Sequence, residues 1–199
     1  MTPDLKLDVF NLFAAKVLGR LRLGQDILEQ LKIHTRIREV PKNSFVVQHG
    51  EKWHKLYFIH SGILRMFYTD LEGRDFNKAF FDEGKCIWPV APMDRDSGIL
   101  FNLSSIPKAI LLECDFAPLQ TMLKHENKWE IFALPFAEQL IETKFKREHN
   151  FLLKSAAARY AILQEDHPHL VNRIPDYHLA SYLGITNVSL SRLKKESNF

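Results

Sequence analysis

The chain has 199 residues, of which 46% are hydrophobic and 26% are charged, and its formal net charge is +3. This composition is typical of a globular protein with one large domain, or with a medium domain and a small one. No apolar run approaches the roughly 18 residues that span a bilayer, and residues 1–10 carry acids without a cleavable signal pattern. These features predict a cytoplasmic protein with no membrane partner.

The cysteines and histidines do not follow the spacing of a cofactor site. Cys86 and Cys114 stand singly and far apart, which excludes the paired spacing of a zinc or redox motif. His49, His54 and His60 are close in sequence, but they fall among alternating strand residues without the spacing of metal ligands. No order of serine, histidine and carboxylate residues indicates catalysis. We therefore predict a protein that is not an enzyme, with no metal and no cofactor.

The first half of the chain changes from a helical to a strand pattern. Residues 4–31 predict one or two amphipathic helices, with Leu5, Val9, Leu12 and Phe13 at helical spacing. Beyond Arg36 the apolar period becomes two, and glycines recur about every 11 residues, which is the rhythm of an antiparallel barrel or jelly roll. The predicted strands span residues 44–48, 55–60, 63–69, 75–81 and 109–112.

Helical character returns after Asp115, a residue typical of a turn or an N-cap. Residues 130–153 form a long apolar segment that Pro135 either starts or kinks. Its apolar surface exceeds what a thin barrel would cover, so it is a candidate two-fold dimer seam, although it also fits a helix packed on its own domain. A further helix is predicted at 155–164. We place a domain boundary near Phe151, with domains at 1–150 and 151–199.

The spacing of residues 175–195 is that of a helix-turn-helix. Leu179 and Leu183 share one face of a first predicted helix, and Leu190 and Leu193 share one face of a second. Gly184 follows the first helix, where a left-handed residue ends the helix at low cost only if it is glycine. Thr186 is suited to cap the second helix.

Polar side chains of the second predicted helix lie off its leucine face and are suited to duplex DNA. Arg192 suits a guanine edge, Asn187 an adenine, and Val188 a thymine methyl group. Residues 151–199 hold six basic and four acidic side chains, a weak electrostatic footprint that favours two copies on one site. The predicted DNA-binding residues are Thr186, Asn187, Val188, Ser189, Ser191, Arg192, Lys194 and Lys195.

Two groups of residues carry a resemblance to a known family. The sensor-like group is residues 49–51, 56–62, Gly73 and 80–84, and the DNA-binding group is residues 157–160, 179–186 and 189–192. In this order they resemble the cyclic-AMP receptor and fumarate-nitrate regulator (Crp/Fnr) family of bacterial transcription factors, over nearly the whole chain. The resemblance implies an α+β fold: a cyclic-nucleotide-binding-like jelly-roll barrel, a dimerisation helix at about 130–153, and a terminal helix-turn-helix. The chain ends a few residues after that motif, so we expect no β-hairpin wing.

The resemblance also implies a homodimeric transcription regulator that binds double-stranded DNA and contacts RNA polymerase. Two departures limit what it carries over. Trp88 and Pro89 stand where nucleotide-binding members have glycine and glutamate, and no arginine with a small residue follows, so we expect no tight binding of a cyclic nucleotide. The cysteine cluster of oxygen-sensing members is also missing from the sequence. In the second departure, Val188 stands where many members carry a glutamate, so the DNA site should differ.

The effector and the regulatory outcome stay open at this point. Trp88, Met93, Arg95 and Phe101 are the candidate residues for a pocket that binds an unidentified small molecule, although such apolar side chains are more often core. The operator, and activation against repression, are not disclosed by the residues. The alternative function is a ligand-binding jelly roll whose helical tail mediates protein association.

Overall fold

The computed structural model describes residues 3–196 of the chain. Two compact units are present. The first comprises the described residues up to Leu64 together with residues 81–138, and the second comprises residues 65–80 together with those from 139 onward. The second unit therefore combines a short segment from the strand-rich half with the C-terminal helices. A division into compact units does not establish which segments fold as independent domains. The domains predicted at 1–150 and 151–199 therefore remain a prediction.

The helices follow the order expected from the apolar periodicity. The predicted N-terminal helices at residues 4–31 are confirmed. Two helices lie within residues 3–33 and are joined by a π-helical turn (Ala14–Leu18) and a 3-10 turn (Gly19–Leu21). In chain order, the α-helices are α1 (Pro3–Phe13), α2 (Gln25–Ile33), α3 (Pro92–Asp96), α4 (Phe116–His125), α5 (Trp129–Leu153), α6 (Ala156–Asp166), α7 (Pro168–Val171), α8 (Asp176–Leu183) and α9 (Asn187–Glu196).

The strands include every one that the alternating pattern predicted. In chain order they are β1 (Thr35–Val40), β2 (Phe45–Val47), β3 (Lys55–Ser61), β4 (Leu64–Thr69), β5 (Asp75–Phe81), β6 (Cys86–Ile87), β7 (Asn102–Ser105) and β8 (Ala109–Asp115). The alternating pattern missed β1, β6 and β7. Strand β1 does not alternate between buried and exposed side chains, and β6 and β7 have only two to four residues, too few to show a period of two.

The main sheet of the first unit has the strand order β1, β8, β3, β6, and its pairs are antiparallel. Strand β2 pairs with β7, also antiparallel. The alternation along β3 gives the main sheet two apolar faces, since Leu56 and Phe58 join the core under the helices. Tyr57 points the other way and stacks on Trp53, with ring centroids 6.3 Å apart.

A buried carboxylate fixes the position of β8 between its neighbours. The Glu113 side chain is 1% exposed and accepts hydrogen bonds from Arg36 Nε at 2.5 Å and from Arg38 Nη1 at 3.0 Å. Lys55 Nζ of β3 lies 3.7 Å from the same carboxylate. The buried carboxylate needs these cations, because burial of an unpaired charge would lower the stability of the fold by roughly several kcal/mol.

The second unit contains most of the β4–β5 hairpin and the C-terminal helices. The hairpin turns at Asp70–Arg74, where the Asp70 carboxylate accepts bonds from the N–H groups of Glu72 and Arg74. Gly73 takes a φ of 78° there, a conformation that favours glycine. The core of the helical part includes Leu163, Leu179 and Leu190, all buried.

Three details of the helices were left open by the sequence. Helix α5 begins at Trp129 and runs through Pro135, so the proline does not start it. Residues 168–171 form the short helix α7, with Pro168 at its first turn. Asp115 occupies the N-cap position of α4, but its side chain makes no capping hydrogen bond.

Candidate nucleic-acid interface

Helices α8 and α9 form the helix-turn-helix that the apolar spacing predicts. Leu179, Leu183 and Leu190 are buried between them, as is the small side chain of Ala180. Leu193 and Ile185 are half-buried beside this seam. A tight crossing needs a small residue on one helix and leucines on the other, and both are present.

The turn that follows α8 is a Schellman motif. Gly184 has φ 68° and ψ 37°, and its N–H donates to Ser181 O at 3.2 Å. The N–H of Ile185 donates to Ala180 O at 3.0 Å. These are the two bonds that define the motif, and they satisfy two of the four carbonyls that α8 leaves unpaired.

Two arginines of the second unit bind the remaining carbonyls of α8. Arg147 Nη2 donates to Tyr182 O at 3.0 Å, and Arg159 donates to Leu183 O from both Nε and Nη2, at 3.2 and 3.0 Å. The ring of Phe151 lies 4.6 Å from the Arg147 guanidinium carbon and 4.8 Å from that of Arg159. A Cβ at Gly184 would approach Phe151 Cε1 to 2.8 Å, so the glycine is required by close packing as well as by φ.

Helix α9 begins with a capping residue and presents an exposed polar face. Thr186 Oγ1 accepts the N–H of Ser189 at 3.1 Å and lies 2.9 Å from Ser189 Oγ, so the predicted N-cap is confirmed. Asn187, Val188, Ser191 and Arg192 are exposed, with Val188 at 62%. The structure therefore brings these four predicted residues together on one surface.

The lysines at the end of α9 differ from each other. Lys194 Nζ forms an ion pair with Asp176 at the start of α8, at 2.5 Å. Lys195 is exposed. Of the predicted residues, Thr186, Ser189 and Lys194 thus have partners inside the helix-turn-helix, whereas Asn187, Val188, Ser191, Arg192 and Lys195 lie on its surface.

His178 of α8 is a buried group in this unit that sequence reasoning did not single out. Its Nδ1 lies 3.3 Å from Asn77 Nδ2 and 3.5 Å from Arg65 Nη1. Both neighbours are N–H donors, so Nδ1 is the hydrogen-bond acceptor. Burial, followed by the Arg65 charge, lowers the pKa of His178 from 6.5 to about 4, and the carboxylate of Asp75 opposes this shift. The imidazole is neutral at pH 7.

The predicted effector residues all lie in the first unit, where Trp88 and Arg95 contact Phe116 and Phe101 packs against Trp53. Trp88 is 4% exposed and packs in the core under the helices. Its ring stacks on Phe116 at 5.4 Å and contacts Trp129, Phe132 and Phe136 of α5 at 5.5 to 5.8 Å. The Trp88 side chain therefore packs between the sheet and the first turns of α5.

Of the other three predicted effector residues, Arg95 shares Phe116 with Trp88, because its guanidinium carbon lies 5.4 Å from the centre of that ring. Phe101 is buried against Trp53, with ring centroids 5.7 Å apart, and Trp53 stacks on Tyr57, on the opposite face of β3 from Phe58. Arg95 donates to Pro89 O at 2.8 Å, and Met93 is half exposed on α3. The effector assignment of these residues stays a prediction.

The described residues contain no cluster of possible metal ligands, and both cysteine thiols have raised pKa values. Within residues 3–196, no three histidine, cysteine or acidic side chains lie together so that they could hold a metal ion. Burial raises the pKa of Cys114 to about 12 and that of Cys86 above its ordinary value. No helix in the same residues is long and apolar enough to cross a bilayer.

Sequence reasoning missed Asn77 and Arg147, which contact α8 from outside the helix-turn-helix. The available signals are an amide residue within an aromatic strand and an arginine inside an apolar helical stretch. Neither signal names a partner, because both contacts join residues far apart in sequence.

Solved structures of bacterial regulators match the chain over most of its length. The c-di-GMP-responsive global regulator CLP of Xanthomonas campestris is 15% identical, with a TM-score of 0.67, over 88% of this chain and 92% of that one. FixK2 of Bradyrhizobium japonicum is 14% identical, with a TM-score of 0.71, over 81% and 83%. The catabolite activator protein of Thermus thermophilus is 19% identical, with a TM-score of 0.52, over 93% and 85%.

These likenesses define the class of fold. The mixed α and β architecture, with antiparallel sheets and a helical C-terminal region, is that of Crp/Fnr-type regulators, so the predicted resemblance is confirmed at the level of the fold. At sequence identities of 14 to 19%, these structures show that the fold is shared. No family model and no curated protein sequence matches the chain.

The burial of neutral His178 predicts a pH-dependent stability. Its folded pKa lies below the unfolded value, so the unfolded chain binds more protons between pH 6.5 and about 4. This stabilisation is complete above pH 6.5 and is lost as the pH falls towards 4. Urea unfolding against pH should show a steeper loss of stability between pH 6.5 and about 4 in the wild-type chain than in His178→Asn, whose amide oxygen replaces Nδ1 as an acceptor.

The matched control is His149→Asn, which removes an exposed histidine from the same unit. Its stability should follow the wild-type pH profile. Parallel profiles for the wild type and His178→Asn would show that His178 does not titrate in this way.

Proposed function

We propose that the protein is a homodimeric transcription regulator that binds specific DNA sequences through α8 and α9. The observation that carries the proposal is the exposed face of α9, held on a turn whose cap and carbonyl bonds are complete. Such a motif places the N-terminal residues of its second helix in the major groove. We further propose a cyclic-nucleotide-binding-like jelly roll for the sensor half.

The exposed side chains of α9 divide into base-reading and phosphate-binding groups. We assign Arg192 to a guanine edge, and Asn187 and Val188 to the adenine and the thymine methyl group of an A·T pair. Ser191 and Lys195 are placed for phosphate oxygens. Lys194 has Asp176 as its partner, so it contributes less to phosphate binding than Lys195 does.

Exposed apolar side chains along α5 support a dimer. Leu134, Ile141, Phe145 and Leu152 are separated by seven, four and seven residues, and all four are exposed, with Phe145 at 67%. This is the spacing of a coiled-coil seam, and apolar surface of this extent favours a second copy as its partner. Two-fold symmetry would set the half-sites about 34 Å apart, one turn of DNA.

The packing of Trp88 supports an effector that is not a cyclic nucleotide, or no effector. The indole ring fills the space between the sheet and α5, at the position where the resemblance places glycine and glutamate. Arg95 is bonded to Pro89 O, and it is the one arginine of this stretch. A bidentate partner for a cyclic phosphate is therefore not assembled in residues 85–98.

We expect that Phe145→Glu separates the dimer, because it places two carboxylates in an apolar seam. Sedimentation equilibrium should show a dimer for the wild type and a monomer for the variant. Thr143→Glu adds the same charge on the opposite face of α5 and should remain dimeric. A dimeric Phe145→Glu, or a monomeric wild type, would contradict the proposed seam.

Calorimetric titration should detect no binding of cyclic AMP or cyclic GMP at micromolar concentrations. The physical reason is that Trp88 stands where the resemblance places glycine and glutamate, and that the one arginine of residues 85–98, Arg95, bonds Pro89 O through Nη1. Injection of buffer into protein gives the reference heats. Micromolar affinity for either nucleotide would overturn this part of the proposal.

The central test is selection of duplexes from a random pool by the 199-residue chain at two salt concentrations. We expect an enriched inverted repeat. Arg192→Ala should lose about 1–3 kcal/mol at one base position, whereas Lys195→Ala should weaken all sequences alike and lower the salt dependence.

Equal weakening on all sequences would instead mark Arg192 as a phosphate contact. A selection without enrichment at either salt concentration would contradict DNA reading. It would favour the ligand-binding protein whose helical tail mediates protein association.

A further inference from the structure

The β4–β5 hairpin contacts the first helix of the helix-turn-helix within the second unit. Asn77 of β5 is 2% exposed, although its side chain is an amide. Its backbone N–H donates to Ser181 Oγ at 2.9 Å, and its Nδ2 donates to His178 O at 3.2 Å. A strand and a helix more than 100 residues apart in sequence are thus joined through one buried residue.

Ser181 completes the backbone bonds of β5 on the side that faces α8. The hydroxyl accepts the Asn77 N–H and donates to Asp75 O at 2.8 Å. These two groups belong to alternate residues on one edge of the strand, where a further strand would otherwise pair. One serine side chain therefore takes the place of a ladder partner.

Three further side chains, Arg147, Arg65 and Phe80, make contacts around Asn77 and Ser181. Arg147 Nη2 donates both to Asn77 O at 3.2 Å and to Tyr182 O at 3.0 Å. The Arg65 guanidinium forms an ion pair with Asp75 at 2.8 Å and faces His178. The ring of Phe80 lies 5.3 Å from that of Tyr182.

We propose that this contact is a latch, in which Asn77 and Ser181 are positioning residues for α9. The inference rests on the proposed function and adds a means of its regulation. The contacts engage His178, Ser181 and Tyr182 of α8, whereas the reading face of α9 stays exposed. The closed latch therefore holds the helix-turn-helix without covering the DNA-binding residues.

The chemistry of the latch allows it to open. Most of its contacts are hydrogen bonds between groups that water can also satisfy, and such bonds contribute little net stability each. Opening would free the helix-turn-helix to move, and ordering it again on DNA would weaken the observed affinity. A signal that moves the hairpin would then change DNA binding through α8.

The test replaces Ser181 in the 199-residue chain. Ser181→Ala leaves the Asn77 N–H and the Asp75 carbonyl without their partner, while alanine favours the helical conformation of α8. We expect exchange of the Asn77 amide hydrogen to become about tenfold faster and affinity for the selected duplex to fall about tenfold, within the range of coupling between sites. Ser181→Thr keeps the hydroxyl and should restore both.

Two controls separate the latch from general damage. Leu71→Ala alters the fully exposed tip of the same hairpin and should leave both measurements unchanged. The amide of Leu190, which donates to Thr186 O in α9, should exchange at the wild-type rate in Ser181→Ala if the helix-turn-helix stays folded. Reciprocally, the bound duplex should slow exchange at Asn77 in the wild type.

Two results would overturn the latch. Unchanged exchange at Asn77 in Ser181→Ala would show that the hydroxyl does not hold the hairpin. Faster exchange with unchanged duplex affinity would show that the hairpin does not position α9. A wild-type chain that binds no duplex contradicts the proposed function instead, and the exchange measurement then decides whether the hairpin is held by α8.

Discussion

Four backbone carbonyls at the C-terminal end of α8 have no partner within the helix, and each is bonded by a donor from elsewhere. The amides of Gly184 and Ile185 bond two of them, and Arg147 and Arg159 bond the other two. Buried carbonyls without donors would cost more than the turn gains. The complete set of bonds therefore fixes where α8 stops and the direction in which α9 leaves.

That constraint links the turn to the rest of the second unit. Arg147 lies on α5, and Arg159 lies on α6, so the bonds at the end of α8 also hold those helices around Phe151. Arg147 bonds Asn77 of the β4–β5 hairpin as well. One guanidinium thus joins three elements, because its several donors in a planar fork can satisfy more than one carbonyl.

The sequence allowed the helix-turn-helix and the main strands to be predicted with useful precision. Leucine spacing, Gly184 and Thr186 each act within a few residues of chain, so their consequences are local and can be read from the order of residues. The effector residues were different. Trp88 and Phe101 are both aromatic, yet they pack on opposite sides of the strand layer, and which side each faces depends on strands too short to predict.

The sequence by itself determined the class of elements, the capped turn and the polar face of α9, because periodicity and local hydrogen bonding set them. Only the tertiary structure decided the partners of Asn77, Ser181 and Arg147. Their donors and acceptors are ordinary, and many pairings in the chain would satisfy them equally well. The fold chooses one pairing by bringing β5 beside α8, a juxtaposition that depends on packing over long sequence separations.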